Sequence, residues 1–542
     1  MCEITCDNFY SELPVIESAI KECSFISLDM EFSKLYDSVS KPFSLFDTNE
    51  ERYNKLHQIV SDITCIQLGI AIYVYDDKIK KFKTSTYSVY TYPQTFYKSD
   101  SVVNFQTSCV EFLCKHNFDF NKLFHNRVPY LTDKEELKIK SEMLDELFFD
   151  KYFETNIKFR SIEKELIKVL KIVSEWYDTA NYGEQTFLEI NGCNEPAYTI
   201  LMQYYLLKKL KYILIDESQS GLNITKIEAN TNSEILNKKI YENLKLSLLN
   251  KMMGIKYLMK LISKLKKPII GHNCALDILI LSNQFFTPLP ENFKDFQKFV
   301  SKNFGPIYDT KLLCKEVKRI VPKNDKWIGS SLPEIYSYLK DGDGKKYLDN
   351  IHIQLDGIEE PQDMKLHHAG WDAYYTGYCF VRMVNIIKRF SSKNEKTSPR
   401  YTLTELLKSI EFSKNKLFTS RSISNFLDLE AEDHRNHTNY LIIQNKGILY
   451  KALDLKILKQ DLQEICNFDI KLLSRYTALV AFPFMHSRII YKLKTNYNVE
   501  NYSTYQRKNT NKQIIGLSLA MLVFIKKKKK NSNIIKILFF PG

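Results

Sequence analysis

A short apolar run that contains two carboxylates is the feature that most constrains the fold of this chain. Residues 25–32 read Phe-Ile-Ser-Leu-Asp-Met-Glu-Phe, so that Asp29 and Glu31 are two positions apart. Such a run predicts a buried strand, and residues two apart lie on the same face of a strand. By itself the pair is more often a strand end that turns into solvent. Its meaning therefore depends on the acids found elsewhere in the chain.

Two later segments carry further acids next to histidine. In residues 268–281 a short β-branched run breaks at Gly-His-Asn and is followed by a predicted helix that contains Asp277. In residues 367–377 His367 precedes Asp372 by five positions, at the start of another predicted helix. Metal-assisted cleavage of a phosphodiester needs several carboxylates that hold two cations close together. The three segments together predict a metal-dependent nuclease in which His367 acts as the base.

Three neighbouring side chains have simpler interpretations. We expect His272 to be a hydrogen-bonded turn residue, and Asn273 to be a helix cap rather than a substrate contact. Of the adjacent histidines His367 and His368, only one is expected to face the site, and the other is expected to be solvated. The acids are therefore the predicted metal ligands.

The three acidic segments resemble the motifs of the DEDD exonuclease superfamily, and the residues around them are similar to the poly(A)-specific ribonuclease (PARN) or CAF family within it. The similarity covers most of residues 20 to 390. It implies an α/β, RNase H-like DEDD exonuclease fold with a mixed central sheet, and the activity of a DEDDh-type 3′–5′ exoribonuclease. The family's catalytic histidine falls on His367, and its four metal-binding acids fall on Asp29, Glu31, Asp277 and Asp372. Further segments that resemble the family lie at 49–56, 65–69, 118–124, 128–131 and 308–312.

The chemistry of the predicted ligands indicates the metal. Carboxylate oxygens are the ligands that hard divalent cations prefer, which favours Mg²⁺ or Mn²⁺ over zinc. The resemblance implies two such ions, and nucleoside 5′-monophosphates released from a free 3′ hydroxyl as products. Just beyond the acid pair, Phe32 and Leu35 are candidates to pack against the terminal bases of single-stranded RNA. A core phenylalanine after a strand is an equally plausible interpretation of Phe32. Lys34 stands where the family usually has glycine.

The chain is predicted to contain more than one domain. Its 542 residues, 44% of them hydrophobic, allow a large core, and apolar residues at helical spacing over 158–177 predict a packed helix. The Arg-x-x-x-His signature of the family's nucleic-acid-binding insertion is not evident, so we interpret the middle of the chain as a helical insertion. After a polar linker, strand-like 440–443, helix-like 453–465 and strand-like 478–482 resemble the family's small RRM-like α+β domain. The predicted boundaries are 1–150 and 251–390 for the two halves of the exonuclease domain, 151–250 for the insertion, 391–400 for the linker, 401–505 for the C-terminal domain and 506–542 for the tail.

The C-terminal tail carries most of the net charge. Residues 501–542 contain nine lysines and arginines and no acid, against a formal net charge of +13 for the whole chain. The rest of the chain is only mildly basic, which predicts a local RNA groove rather than a strongly basic surface. The uncharged run 514–525 is shorter than the about 20 residues that a membrane-spanning helix needs. We interpret it as an incomplete or misread tail anchor in preference to a free basic tail.

Location and partners follow partly from the resemblance. Scattered cysteines and the lack of a secretory signal at the start predict a cytoplasmic protein. The missing insertion signature looks closer to the PARN-like domain-containing, or Trimmer, branch of the family, which matures the 3′ ends of piRNA. That resemblance implies tail anchoring to an organelle membrane such as the mitochondrial outer membrane. The partners that it implies are single-stranded RNA 3′ ends, a membrane-associated Tudor-type adaptor, a small-RNA-loaded Argonaute-family protein and a second copy in a homodimer.

Two classes of function remain open from the sequence. The favoured one is a 3′–5′ RNA exonuclease that trims piRNA precursors, with deadenylation of mRNA or small non-coding RNA as the alternative task. The other is a catalytically silent RNA-binding scaffold that keeps the fold. Every expected acid and His367 are present, which argues against the silent version. No side chain is a legible code for adenine, so the substrate stays open.

Overall fold

The computed structural model describes most of the chain. Within the described residues no helix is long and apolar enough to span a bilayer. The predicted linker from residue 392 onward and the predicted anchor run 514–525 lie outside them. The described residues are 1–35, 42–76, 81–93, 102–155, 159–189, 196–218, 221–228, 233–327, 329–348, 352–356, 360–361, 363–391, 401–422, 424–431, 439–446, 452–463, 467–483 and 487–509.

Helices and strands alternate through the described part of the chain. The helices include α1 (Phe9–Glu22), α2 (Asn49–Val60), α3 (Thr107–Lys115), α4 (Phe120–His125), α5 (Asp133–Glu142), α6 (Phe148–Thr155), α7 (Phe159–Thr179), α8 (Pro196–Lys209), α9 (Ser233–Met253), α10 (Ile255–Leu265), α11 (Ala275–Phe285), α12 (Phe293–Asn303), α13 (Thr310–Ile320), α14 (Leu332–Lys340), α15 (Ala369–Ser391), α16 (Leu403–Ser409), α17 (Leu455–Gln463) and α18 (Ser487–Asn496). The strands include β1 (Cys2–Ile4), β2 (Phe25–Phe32), β3 (Cys65–Asp76), β4 (Lys81–Tyr90), β5 (Gln185–Glu189), β6 (Ile213–Glu217), β7 (Gly221–Lys226), β8 (Ile269–Gly271), β9 (Ile307–Asp309), β10 (His352–Leu355), β11 (Lys416–Phe418), β12 (Phe426–Asp428), β13 (Tyr440–Asn445), β14 (Asp469–Ser474), β15 (Thr477–Ala481) and β16 (Tyr497–Asn501).

The central sheet is mixed, as predicted. Its order is β1-β4-β3-β2-β8-β9-β11, and β10 pairs with β4. The contacts of β3 with β2 and β4 are antiparallel, whereas β8 pairs in parallel with β2 and β9. The long strand β3 is buried at nearly every position, which explains its almost continuous apolar sequence, since a strand covered on both faces has no polar alternation. The predicted α/β fold with a mixed central sheet is confirmed.

Helix α15 packs closely on this sheet because small residues line the contact. A Cβ added at Gly377 would lie 2.2 Å from the ring of Tyr73, so only glycine fits there. The Ser27 hydroxyl, on β2, donates a hydrogen bond to the carbonyl oxygen of Ala373 at 2.7 Å. The first five turns of α15 are almost entirely buried. The helix therefore has a fixed height above the strands that carry the predicted acids.

The middle of the chain contains the predicted helices and, in addition, a sheet that the sequence analysis did not predict. Helix α7 confirms the helix expected over 158–177, and Leu166 and Val173 of its apolar stripe are buried. Strands β5, β7 and β6 form a three-stranded antiparallel sheet in that order. Leu222 and Ile224 alternate with polar residues along β7, which is the two-residue period of a strand. This alternation spans only a few residues and is weaker than the apolar stripes of the neighbouring helices. The description of this insertion as helical is therefore incomplete.

The described residues form two compact units. The larger unit takes residues from 1–40, 53–418 and 428–430, and the smaller takes residues from 41–52, 419–427 and from 431 onward. The smaller unit contains the antiparallel sheet β14-β15-β13-β16. Strand β13, helix α17 and strand β15 confirm the three elements expected there from sequence. The predicted domain boundaries themselves stay predictions.

Candidate active site

Strand β2 presents the first two predicted ligands on one face. Asp29 lies opposite Gly69 of β3 and Glu31 lies opposite Gln67, and the strand register is interrupted by a bulge directly after Glu31. Leu28 and Met30, which precede the two acids and point to the opposite face, are buried, and this fixes the direction of both carboxylates. The predicted spacing of the acid pair in a strand is confirmed. Their role as metal ligands stays a prediction.

Asp277 is placed by a turn that a neighbouring acid holds. The carboxylate of Asp309, at the end of β9, accepts hydrogen bonds from the backbone N–H groups of Asn273 at 2.9 Å and Cys274 at 3.1 Å. It also accepts from the backbone N–H groups of Lys311 and Phe418 at 3.0 and 2.9 Å. Four donors on one buried carboxylate fix the path of the chain from β8 into α11, whose first turn carries Asp277.

The two simpler interpretations at this turn have different outcomes. His272 is a hydrogen-bonded turn residue as expected, because its Nδ1 lies 2.9 Å from the Thr310 hydroxyl. Burial lowers the pKa of His272 to about 3. The expectation that Asn273 caps the helix is wrong, because the N-cap of α11 is Cys274. Asn273 instead adopts a left-handed backbone with φ 58°, a conformation that asparagine tolerates better than most residues.

The start of α15 brings Asp372 and His367 together. The carboxylate of Asp372 accepts a hydrogen bond from the backbone N–H of His367 at 2.7 Å, and Asp372 is only 7% exposed. His367 lies just before the helix with φ 59°. This backbone turn directs the His367 ring towards the acids, and ligand atoms of Glu31, His367 and Asp372 all lie within 4.8 Å of one another.

His368 faces away from this cluster but is not solvated, which corrects the expectation for the second histidine. Its Nδ1 lies 3.2 Å from the Ser88 hydroxyl and its Nε2 lies 3.4 Å from the Glu3 carboxylate. These contacts hold His368, and with it the start of α15, against β1 and β4. The hydrogen bond from His368, together with Lys122, lowers the pKa of Glu3 to about 2.

The four acids repel one another in a buried place. Burial, followed by the negative charges of Asp372, Asp277 and Glu31, raises the pKa of Asp29 well above its ordinary value. Burial and the charges of Asp372 and Asp277 raise the pKa of Glu31 to about 8. The pKa of Asp277 and of Asp372 is raised to about 7, mainly by burial. Groups that are shifted in this way by burial and like charge are typical of functional sites.

These donors fit divalent cations. The cluster offers carboxylate oxygens, which are the donors that Mg²⁺ and Mn²⁺ prefer, and the imidazole of His367 lies beside them. Asp29, Glu31, Asp277 and Asp372 would hold the ions, because bound cations would offset the burial of all four carboxylates and the like-charge repulsion at Asp29 and Glu31. Of the two predicted substrate contacts, Phe32 is half-buried at the end of β2 and Leu35 is 51% exposed, and their role stays a prediction.

The residues that dock α15 on the sheet give no signal in the local sequence. The Gln67 side chain accepts a hydrogen bond from the backbone N–H of Ala369 at 3.0 Å, and the Ser88 hydroxyl accepts from that of Gly370 at 3.1 Å. A Cβ added at Gly69 would lie 1.8 Å from the carbonyl oxygen of Ala369. The segment 65–69 was noted for its resemblance, but the contact joins residues about 300 positions apart and leaves no local signal.

The chain is similar to one family model and to several known proteins. The model of the CAF1 family ribonuclease matches residues 4–380. The pre-piRNA 3′-exonuclease trimmer of Bombyx mori is 30% identical over 512 residues, which are 93% of this chain and 94% of that protein. The poly(A)-specific ribonuclease PARN of Homo sapiens is 28% identical over 539 residues, which are 94% of this chain and 82% of that protein. Among solved structures, the Mg²⁺- and Mn²⁺-bound form of S. pombe Pop2p has a TM-score of 0.33 at 15% identity, and the match covers 72% of this chain and 95% of that chain.

Proposed function

The chain belongs to the CAF1 family of ribonucleases, and we propose that it trims the 3′ ends of piRNA precursors. It is a 3′–5′ exoribonuclease of the CAF1/PARN type. The observation that carries the catalytic part of the proposal is the cluster of Glu31, His367 and Asp372 beside two further buried acids. The similarity to the Bombyx mori trimmer over nearly the full length of both chains supports the substrate.

The proposed mechanism assigns a separate task to the acids and to the histidine. Asp29, Glu31, Asp277 and Asp372 would hold divalent cations, which when bound would supply activation of the attacking water and stabilisation of the negative charge on the leaving oxygen. The His367 ring accepts the proton of the water, and burial lowers its pKa, which keeps the imidazole free to do so near neutral pH. The 3′ oxygen of the shortened RNA leaves, and a nucleoside 5′-monophosphate is released.

Phe32 and Leu35 are proposed to hold the terminal bases. Leu35 is half exposed, and its backbone N–H donates to the Gln106 side chain at 3.0 Å, so the residue is held at the rim of the acid cluster. A half-buried aromatic ring such as that of Phe32 offers one face to an unpaired base, and such stacking is independent of base identity. These contacts would bind any 3′ end, which suits trimming better than selection for adenine.

Deadenylation is the second candidate function, because human PARN is 28% identical over 94% of this chain. The two candidates differ in base preference. We would incubate the full chain with 5′-labelled RNAs that differ only in an oligo(A) or mixed-sequence 3′ end, with Mg²⁺, Mn²⁺ or a chelator. Equal ladders on both RNAs support trimming, whereas shortening confined to oligo(A) would replace it with deadenylation.

The control for this experiment is Asp29→Asn, which removes a proposed metal ligand with little change in volume. Loss of the ladder in this variant shows that cleavage comes from the acid cluster and not from a contaminant. A wild-type chain that binds both RNAs but shortens neither with either metal would contradict the proposal and favour the silent scaffold.

We also propose the location and partners that the family resemblance implies. The protein would act in the cytoplasm, held by its tail at an organelle membrane such as the mitochondrial outer membrane, where a Tudor-type adaptor presents RNA loaded in an Argonaute-family protein. Imaging the full chain beside one that ends at residue 505 tests the anchor. Identical diffuse distributions would contradict it.

A further inference from the structure

His116 lies beside the proposed base, and the mechanism above gives it no task. It follows the last residue of α3, and its backbone N–H donates to the carbonyl oxygens of Phe112 and Leu113 at 3.3 and 3.0 Å. The ring centroids of His116 and His367 are 4.2 Å apart, and the ring planes are inclined by 59°. Phe112 completes a triangle of rings, because its centroid lies 4.6 Å from each of the two imidazoles.

Ring packing is what orients the imidazole of His367. Its backbone N–H is bonded to Asp372, but among the described residues no group forms a hydrogen bond with either ring nitrogen. A histidine that acts as a base is usually oriented by a hydrogen bond that its second ring nitrogen donates to a third group. In this site the rings of His116 and Phe112 occupy the place of that third group.

Helix α3 is tied to the strand end that carries the acids. At its start, the backbone N–H of Gln106 donates to the carbonyl oxygen of Ser33 at 3.1 Å, and the Gln106 side chain accepts from the backbone N–H of Leu35 at 3.0 Å. Inside the helix, Leu113 is buried at 2% exposure. The position of His116 at the other end of α3 is therefore fixed relative to Glu31.

We propose that His116 is a positioning residue of the exonuclease, whose ring packs against His367 and holds that imidazole towards Glu31 and Asp372. The inference rests on the proposed function, because it takes His367 as the base. This role requires a ring of this size at position 116, but it does not require a proton on that ring.

The expected effect is on the chemical step. A base that is displaced by about 1 Å can lose up to about 100-fold in rate. We expect His116→Ala to lower kcat about 10- to 100-fold and to leave the KM for RNA unchanged, because the acids and the base-binding residues stay in place. We expect His116→Phe to restore most of kcat, since phenylalanine keeps the ring contact without an imidazole.

The test uses the full chain with a short 5′-labelled RNA of mixed sequence and Mg²⁺. The variants are His116→Ala, His116→Phe, His367→Ala and a matched control, His125→Ala, which removes an exposed histidine at the end of α4. For each protein kcat, KM and the thermal midpoint are measured, the rates at a temperature below every midpoint. The expected order of kcat is wild type and His125→Ala, then His116→Phe, then His116→Ala, then His367→Ala.

Several results would overturn the positioning role. These are a His116→Ala variant with wild-type kcat, a His116→Phe variant as slow as His116→Ala, or a loss that falls on KM, which would make His116 an RNA contact. Should His116→Ala unfold below the assay temperature, His116→Phe still decides, because it must keep kcat. A His367→Ala variant at full rate would overturn the base assignment and this inference together, whereas a slow His367→Ala beside a full-rate His116→Ala overturns the inference alone.

Discussion

A methyl group at Gly69 should inactivate the enzyme, although it replaces none of the proposed catalytic side chains. In Gly69→Ala the new Cβ would lie 1.8 Å from the carbonyl oxygen of Ala369, 2.1 Å from its carbonyl carbon and 2.7 Å from the backbone nitrogen of Gly370. All three atoms belong to the backbone of the first turn of α15, so no side chain can rotate away. An ordinary contact needs about 3.4 Å, and the turn must therefore retreat by more than about 1 Å.

That retreat carries Asp372 and His367 away from Glu31, because both lie at the start of α15, whereas Glu31, now within 4.8 Å of them, lies on strand β2. A misplacement of about 1 Å can cost about 100-fold in rate, and overpacking in a core costs about 1–3 kcal/mol of stability. We expect Gly69→Ala to lose about 100-fold in kcat on a 5′-labelled RNA, together with a modest fall in the thermal midpoint.

The control is Gly377→Ala on the same helix. Its Cβ would clash with the Tyr73 ring at 2.2 Å, further along α15 than Asp372. It should lower the thermal midpoint by a similar amount with a much smaller loss of kcat. If Gly69→Ala kept kcat within about threefold of wild type below its midpoint, or if both variants lost rate equally, the reasoning from close approach at Gly69 would be refuted.

Three further predictions concern charge. Asp29→Asn should raise the thermal midpoint of the chelator-treated protein, by about 1 °C per kcal/mol of relieved repulsion, and abolish the upward shift that Mg²⁺ gives the wild type. An unchanged Mg²⁺ shift would contradict Asp29 as a ligand. Burial lowers the pKa of His272 to about 3 from an ordinary 6.5, so its contribution to stability is complete above pH 6.5 and is lost as the pH falls towards 3, by about 1.4 kcal/mol per pH unit. The thermal midpoint should therefore drop more between pH 7.5 and pH 5 for the wild type than for His272→Gln. Equal drops would show that His272 is not the cause. Glu136→Gln leaves Lys256, whose side chain is 1% exposed, with one fewer carboxylate, and should lower the free energy of unfolding in denaturant by about 3–5 kcal/mol. Lys260→Ala removes a 43% exposed partner of Glu136 and should lower it by less than about 1 kcal/mol. Equal losses would mean that the burial of Lys256 does not determine the strength of the ion pair.

The local parts of the site could be predicted from sequence because they depend on short-range periodicity. The two-residue spacing of Asp29 and Glu31 in an apolar run is sufficient to place both on one face of a strand. The glycine-containing break before Asp277 is sufficient to predict a strand that turns into a helix. That these acids meet Asp372 was inferred from family resemblance, since no spacing rule joins segments separated by more than 90 residues.

The missed residues act through contacts that are distant in sequence. The local sequence does not distinguish Gly69 from other strand glycines, because its role depends on α15 packing over it. Nor does it distinguish His116 from other polar residues at helix ends, because its role depends on the nearby ring of His367. Asp309 was noted only within a resembling segment, yet its four backbone hydrogen bonds determine where α11 begins. Each of these depends on the fold as a whole, which a pattern within ten or twenty residues does not contain.

The same long-range contacts explain how four like charges can be held together before any cation arrives. Strand pairing fixes β2, the Asp309 carboxylate fixes the turn before α11, and close packing at Gly69 fixes the start of α15. None of these three contacts uses a carboxylate oxygen of the four acids, and the hydrogen bond that Asp372 accepts from the backbone N–H of His367 is a separate contact. The acids are therefore preorganised by backbone contacts whose strength does not depend on the metal. It follows that cation binding relieves repulsion in a site that already exists, so the metal-free protein should be folded, less stable and inactive.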